Sequence, residues 1–118
     1  MSQHRRVFDY IELGAPDIAA AKRFYAEAFG WAFTDYGPGY AGIQDPAGGG
    51  EVGGLDAGTT PTAGGPLVLL YAEDLDSTVA AVVAAGGTIT NGTYAFPGGR
   101  RAHFRDVAGN ELGVWSVA

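Results

Sequence analysis

The chain has 118 residues, 47% of them apolar, which suits one compact domain with a real core and excludes wholesale disorder. Seven basic against thirteen acidic side chains give a net charge of -6, which argues against a nucleic-acid binder, since only Arg100, Arg101 and Arg105 come near to clustering. With no cysteine, disulfides, thiolate metal sites and a cysteine nucleophile are excluded.

No apolar run approaches the roughly 20 residues of a membrane-spanning helix. The basic start, Met1 to Arg6, leads into no apolar stretch, so the expectation is a cytoplasmic protein without a signal peptide and without a membrane partner. Glycine is over-used, at 20 residues. Its two readings are the tight turns of a sheet-rich protein and the floor of a cavity that side chains would otherwise fill.

In chain order, residues 7–13 read as a strand and 17–30 as an amphipathic helix with Ile18, Ala21, Phe24, Tyr25 and Ala28 at helical spacing. Short strands follow at 31–36, 40–44 and 51–55, then a linker at 59–65 rich in Thr, Pro and Gly. A strand at 67–72 precedes a second helix at 74–87, with Leu75, Val79, Val82 and Val83 at helical spacing. Strands at 88–91, 100–105 and 111–117 close the chain, with Gly109-Asn110 as a tight hairpin turn.

The chain repeats itself. Asp17 and Asp74 each stand where a helix N-cap belongs, and Gly30 and Gly87 each follow thirteen residues later. The turns Asp45-Pro-Ala-Gly48 and Asp106-Val-Ala-Gly109 also match. Each half therefore reads β-α-β-β-β: one α+β domain over 1–118, with module one about 7–58 and module two about 66–118. Neither half could bury a sufficient core alone, so two modules, in one chain or across a dimer, are expected to share one sheet system around a cleft, where function should sit.

Two such modules, the Phe24-Tyr25 pair, Phe29-Gly30-Trp31, and Asp106-x-x-Gly109-Asn110 together resemble the vicinal oxygen chelate superfamily, with its glyoxalase/bleomycin-resistance/dihydroxybiphenyl dioxygenase-like fold. Tyr10-Ile-Glu-Leu13 and Leu112-Gly-Val-Trp115 resemble a glyoxalase-like branch of small proteins. The resemblance implies metal ligands on the first and last strands of each module. Those positions fall on Tyr10, Leu67, Gly113 and the stretch 52–54, with Glu51 just outside it. Tyr10 is a poor donor, and Leu67 and Gly113 offer no side-chain donor, so no resident metal is expected. A divalent metal held by displaced ligands, Glu12, Glu51, Glu111 and His103, is the alternative.

Strand parity turns Phe8, Tyr10, Glu12, Leu67, Leu69, Tyr71, Arg101, His103, Gly113 and Trp115 toward the cleft. It leaves Ile11, Leu13, Val68, Leu70, Leu112 and Val114 as core. The candidate ligand-binding residues are Tyr10, Glu12, Leu67, Leu69, Tyr71, Arg101, His103 and Trp115. Glu12, on a strand among aromatics, reads as a residue at a wet sheet edge, as one paired with Arg101, or as a ligand-contacting acid or base. His103 reads as strand filler or as a proton carrier. The expected function is binding, for sequestration, of a small apolar or aromatic molecule by a homodimer. The alternative is a lyase, isomerase or dioxygenase using the displaced metal or a Glu12/His103 acid–base pair.

Overall fold

The structure, a computed structural model, describes residues 6–118. His4, to which the sequence assigns no role, lies outside them. The first sheet is built from β1 (Ile11–Gly14), β2 (Phe33–Asp35), β3 (Tyr40–Gln44) and β4 (Glu51–Asp56), in the order β1-β4-β3-β2. The second repeats it with β5 (Val68–Tyr71), β6 (Thr88–Phe96), β7 (Gly99–Arg105) and β8 (Glu111–Ser116), in the order β5-β8-β7-β6. Helices α1 (Ile18–Phe29) and α2 (Leu75–Ala84) follow β1 and β5. β1 pairs parallel with β4, as β5 does with β8, and the remaining pairs are antiparallel. The two β-α-β-β-β modules of the sequence are thus present. No helix among the described residues is long and apolar enough to cross a membrane.

Both helices start as their sequence dictates. The Asp17 carboxylate accepts the Ala20 N–H at 3.0 Å, and that of Asp74 accepts the Ser77 N–H at 3.1 Å. Gly30 ends α1 in the left-handed region, at φ 73°. In α2 the sequence expectation shifts by one residue: Ala85 caps the helix and Gly86, not Gly87, takes the positive φ. Gly87 is needed for another reason, because a β-carbon there would press on Val82 and on the ring of Phe24.

That contact shows how the modules join. Phe24 and Phe29 of α1 reach across to Phe104 of β7, with ring centroids 6.2 and 5.5 Å apart. Tyr25 stacks on Trp31 at 4.4 Å, so Trp31 is packing, as its place after the helix suggests. Beside this aromatic seam lies a polar staple. The Tyr25 hydroxyl donates to the Asp106 carboxylate at 2.6 Å, and the same carboxylate accepts the N–H groups of Ala108, Gly109 and Asn110. Asn110 Nδ2 donates to the Gly14 carbonyl at 2.7 Å, and its Oδ1 accepts the Thr62 N–H at 2.9 Å. One buried asparagine therefore ties β1, the linker and β8 together.

Four local expectations are corrected. β1 begins at Ile11 and not at residue 7, because its ladder on β4 starts at Gly53 and the preceding part of β4 is bulged. β6 runs on to Phe96, past the Asn91-Gly92 that read as a stop, since two register shifts absorb it against β7. Gly109-Asn110 is not a two-residue turn: Asp106 N–H donates to the Asn110 carbonyl, so the loop is the three residues between them, and Asn110 turns inward. Ile11, expected in the core, is 41% exposed and lines the cavity between the modules instead. Leu13, Leu112 and Val114 are buried as expected, and Val68 and Leu70 partly so.

Candidate functional site

β1 and β5 are edge strands of their own sheets, and a cavity of about 630 Å³ opens between them. Phe8, Tyr10, Glu12, Leu67 and Leu69 line it, with the linker threonines Thr59, Thr60 and Thr62 at one side. A cleft between the modules thus exists within one chain. It takes in four of the eight predicted binding residues, Tyr10, Glu12, Leu67 and Leu69.

Cross-strand register shows what floors each sheet beside the cleft. On the first sheet Glu12, Gly54 and Gly42 stand opposite one another across β1, β4 and β3. On the second the equivalent row is Leu69, Gly113 and His103. Gly54 therefore matches Gly113, which narrows the stretch 52–54 to a single residue. The phenols of Tyr10 and Tyr40 meet above Gly54 at 2.5 Å, in the space its β-carbon would take. Leu69 lies over Gly113 in the same way. The space a β-carbon would need at these two glycines is taken by neighbouring side chains, a close approach that is neither a turn nor the floor of an open cavity.

The bulge in β4, between its pairings at Gly53 and Glu51, has a chemical consequence. It swings Glu51 inward over Gly42, where its carboxylate accepts hydrogen bonds from Tyr36 and, at 3.4 Å, from Tyr10. The Glu51 carboxylate raises the Tyr36 phenol above its ordinary pKa through that hydrogen bond. Desolvation, then hydrogen bonds to Tyr10 and Glu12, raise Tyr40. Burial, then the Asp106 charge, raises Tyr25 well above 10.0. Raised phenol pKa values mean stability that is complete below pH 10.0 and lost as pH rises through the folded-state values. In an alkaline titration followed at 295 nm, these three of the six tyrosines are expected to ionise late, Tyr25 only as the protein unfolds.

The remaining four predicted residues, Tyr71, Arg101, His103 and Trp115, stand outside the cavity, on the open face of the second sheet. Tyr71, Trp115, Arg101 and Tyr94 are opposite one another across β5, β8, β7 and β6. Arg101 Nε donates to the Tyr94 hydroxyl at 2.5 Å, and that hydroxyl lies 2.8 Å from His103 Nε2. Arg101 is therefore not paired with Glu12, as one reading supposed. Glu12 is exposed beside Tyr40 and Asp56. The neighbouring Arg100 is engaged elsewhere, with Asp76 at 3.3 Å and the Ala118 carbonyl at 3.1 Å.

Two chemical expectations meet this geometry. No hydrogen bond links Glu12 and His103 among the described residues: Glu12 lies beside Tyr40 on the first sheet, and His103 on Tyr94 of the second. Nor do the displaced donors converge: Glu51 is held by tyrosines, Glu111 accepts from Thr90 at 3.0 Å, and His103 sits on Tyr94. Among the described residues no three His, Asp or Glu side chains gather, and the donor set does not fit a divalent cation. Sequence reasoning missed Tyr36, Tyr40, Tyr94 and Phe96 as neighbours of the site. Strand parity could have flagged Tyr94 and Phe96 had β6 been read to its full length.

The family model for the glyoxalase/bleomycin resistance protein/dioxygenase superfamily matches residues 7–114. A putative glyoxylase, CFP32, of Mycobacterium bovis is 30% identical over 117 residues, covering 92% of this chain and 45% of that protein. The chain thus spans less than half the length of that curated relative. Among solved structures, a family enzyme from Burkholderia phytofirmans superposes with a TM-score of 0.76 at 21% identity, over 94% of this chain and 98% of the other. TnmS3, an antibiotic-binding protein from Streptomyces sp. CB03234, does so at 0.70 and 24%, covering 98% of each chain. With the repeated modules, their sheet order and a match along nearly the whole sequence in agreement, the chain belongs to the glyoxalase/bleomycin resistance protein/dioxygenase superfamily.

Proposed function

We propose that this protein binds a small, largely apolar or aromatic molecule between its modules, without a resident metal, and sequesters it. The observation that carries this reading is the cavity of about 630 Å³, lined on its apolar side by Tyr10, Ile11, Leu67 and Leu69 and on its polar side by Glu12 and the linker threonines. Glycine at both equivalent positions, 54 and 113, supports the metal-free form. A fold shared with an antibiotic-binding protein is consistent with sequestration. The same reading expects a homodimer, since β2 and β6 leave free outer edges on the sheets.

Calorimetric titration tests both parts. Zn, Ni, Mn and Fe salts are expected to give no tight stoichiometric binding, and one that did, in the cleft, would overturn the metal-free reading. 2-Naphthylmethanol, a neutral aromatic probe, is expected to bind at one site. Leu67→Asp, which places a charge on the apolar wall, is expected to weaken it about 10-fold or more. Unaltered binding in that variant would place the ligand elsewhere.

A further inference from the structure

The open faces of the two sheets carry opposite chemistry. Beside the cleft the first sheet offers Glu12, Glu51 and Tyr40, and both oxygens of Glu51 are already engaged by Tyr10 and Tyr36. The second sheet offers a cation set among rings. The Arg101 guanidinium lies 5.4 Å from the Tyr94 ring centre and 5.1 Å from that of Phe96. Phe96 meets the Trp115 ring edge-on at 6.0 Å, and Tyr71 meets it from the other side at 4.9 Å. The result is a half-exposed strip of rings, continuous with the cleft through β5, with one arginine set into it.

Arg101 is held but not neutralised. Its Nε is fixed by Tyr94, and the Tyr94 hydroxyl, accepting that bond, has its own proton free for His103 Nε2. The ion pairs among the described residues are Lys22–Asp35 and Arg100–Asp76, so no described carboxylate meets Arg101. Its terminal nitrogens have no described acceptor. A guanidinium with its plane set by two rings and its outer edge vacant has the geometry that receives a carboxylate through two parallel hydrogen bonds.

We infer that this face recognises the carboxylate of a flat, conjugated acid: the acid group on the outer edge of Arg101, the ring system on Trp115 and Tyr71, and any apolar remainder in the cleft. The assignment rests on the small-molecule reading above and adds the ligand's charge and shape to it. The net charge of -6 does not decide against an anion. Exposed charges farther apart than a Debye length, about 8 Å at physiological salt, are largely screened, whereas an ion in contact with a half-buried arginine is not. The acidic surface slows encounter, and the local guanidinium sets the preference.

The test compares three probes that share one ring system: 2-naphthoate, 2-naphthylmethanol and 2-naphthylmethylammonium, titrated calorimetrically into the protein. The carboxylate is expected to bind about 10- to 100-fold more tightly than the alcohol, as a charge-assisted bidentate contact provides. Arg101→Gln is expected to bring that preference, read as the ratio of the two affinities in the same variant, to within about threefold. Arg101→Lys, which keeps the charge but loses the fork, is expected to fall between them. Thermal unfolding of each variant confirms that the fold is retained. Equal binding of alcohol and carboxylate, tighter binding of the ammonium, or an Arg101→Gln variant that keeps the carboxylate preference overturns the inference and leaves the cleft reading standing. If none of the three binds, both fall together.

Discussion

Asp106→Ala is expected to lower the stability of this protein by about 3–5 kcal/mol, the usual cost of breaking a buried charged network by removing one member. The carboxylate is 5% exposed and accepts from three backbone N–H groups, the Tyr25 hydroxyl and Asn110 Nδ2. Without it, the donors of the β7–β8 loop are left unsatisfied, and the Tyr25 hydroxyl of α1 is buried with no acceptor. Asn110, which also fastens Gly14 and Thr62, loses its own anchor. Against a total of about 5–15 kcal/mol, a loss of that size is decisive. Urea unfolding reads it as a lower midpoint at unchanged slope. A loss under about 1 kcal/mol would mean that water replaces the carboxylate and that the staple is not what joins the halves.

Phe24→Ala is expected to cost a similar amount, about 3–5 kcal/mol, for a different reason. The ring is buried, packs edge-on to Tyr25 at 4.9 Å and reaches Phe104 of the other module. Truncation opens a cavity at the seam, and Gly87, already without a side chain, has nothing to fill it. Because the ring belongs to α1 and its partner to the second sheet, both modules are expected to unfold in one transition at lower denaturant. Near- and far-UV circular dichroism are expected to coincide through it. Two separated transitions would show that each module carries its own core, contrary to the argument from size.

Both predictions concern residues noticed in the sequence for their position, not for their contacts. Asp106 and Asn110 stood out as a pattern before the last strand, and Phe24-Tyr25 as a pair inside a helix. Their partners were not legible. Tyr25 and Asp106 lie 81 residues apart, Asn110 and Gly14 lie 96 apart, and neither spacing carries a signal in one sequence. Glu51 shows the same limit from the other side. The sequence placed it just outside the stretch 52–54, and a bulge, set by how β3 and β4 pair, accompanies its turn over Gly42 toward Tyr36 and Tyr10.

The amino-acid order alone determined the two helices and their Asp caps, the repeat and the near-complete set of strands. All of these follow from local rules: side-chain period, capping, and the tolerance of glycine for left-handed backbone. Tertiary structure decided that the eight candidate residues divide between a cavity and an open sheet face. It also left Glu12 without Arg101 and gave Arg101 to Tyr94. Those outcomes depend on strand register and on which sheet each strand joins, quantities fixed by contacts between distant segments, to which no short stretch of chain bears witness.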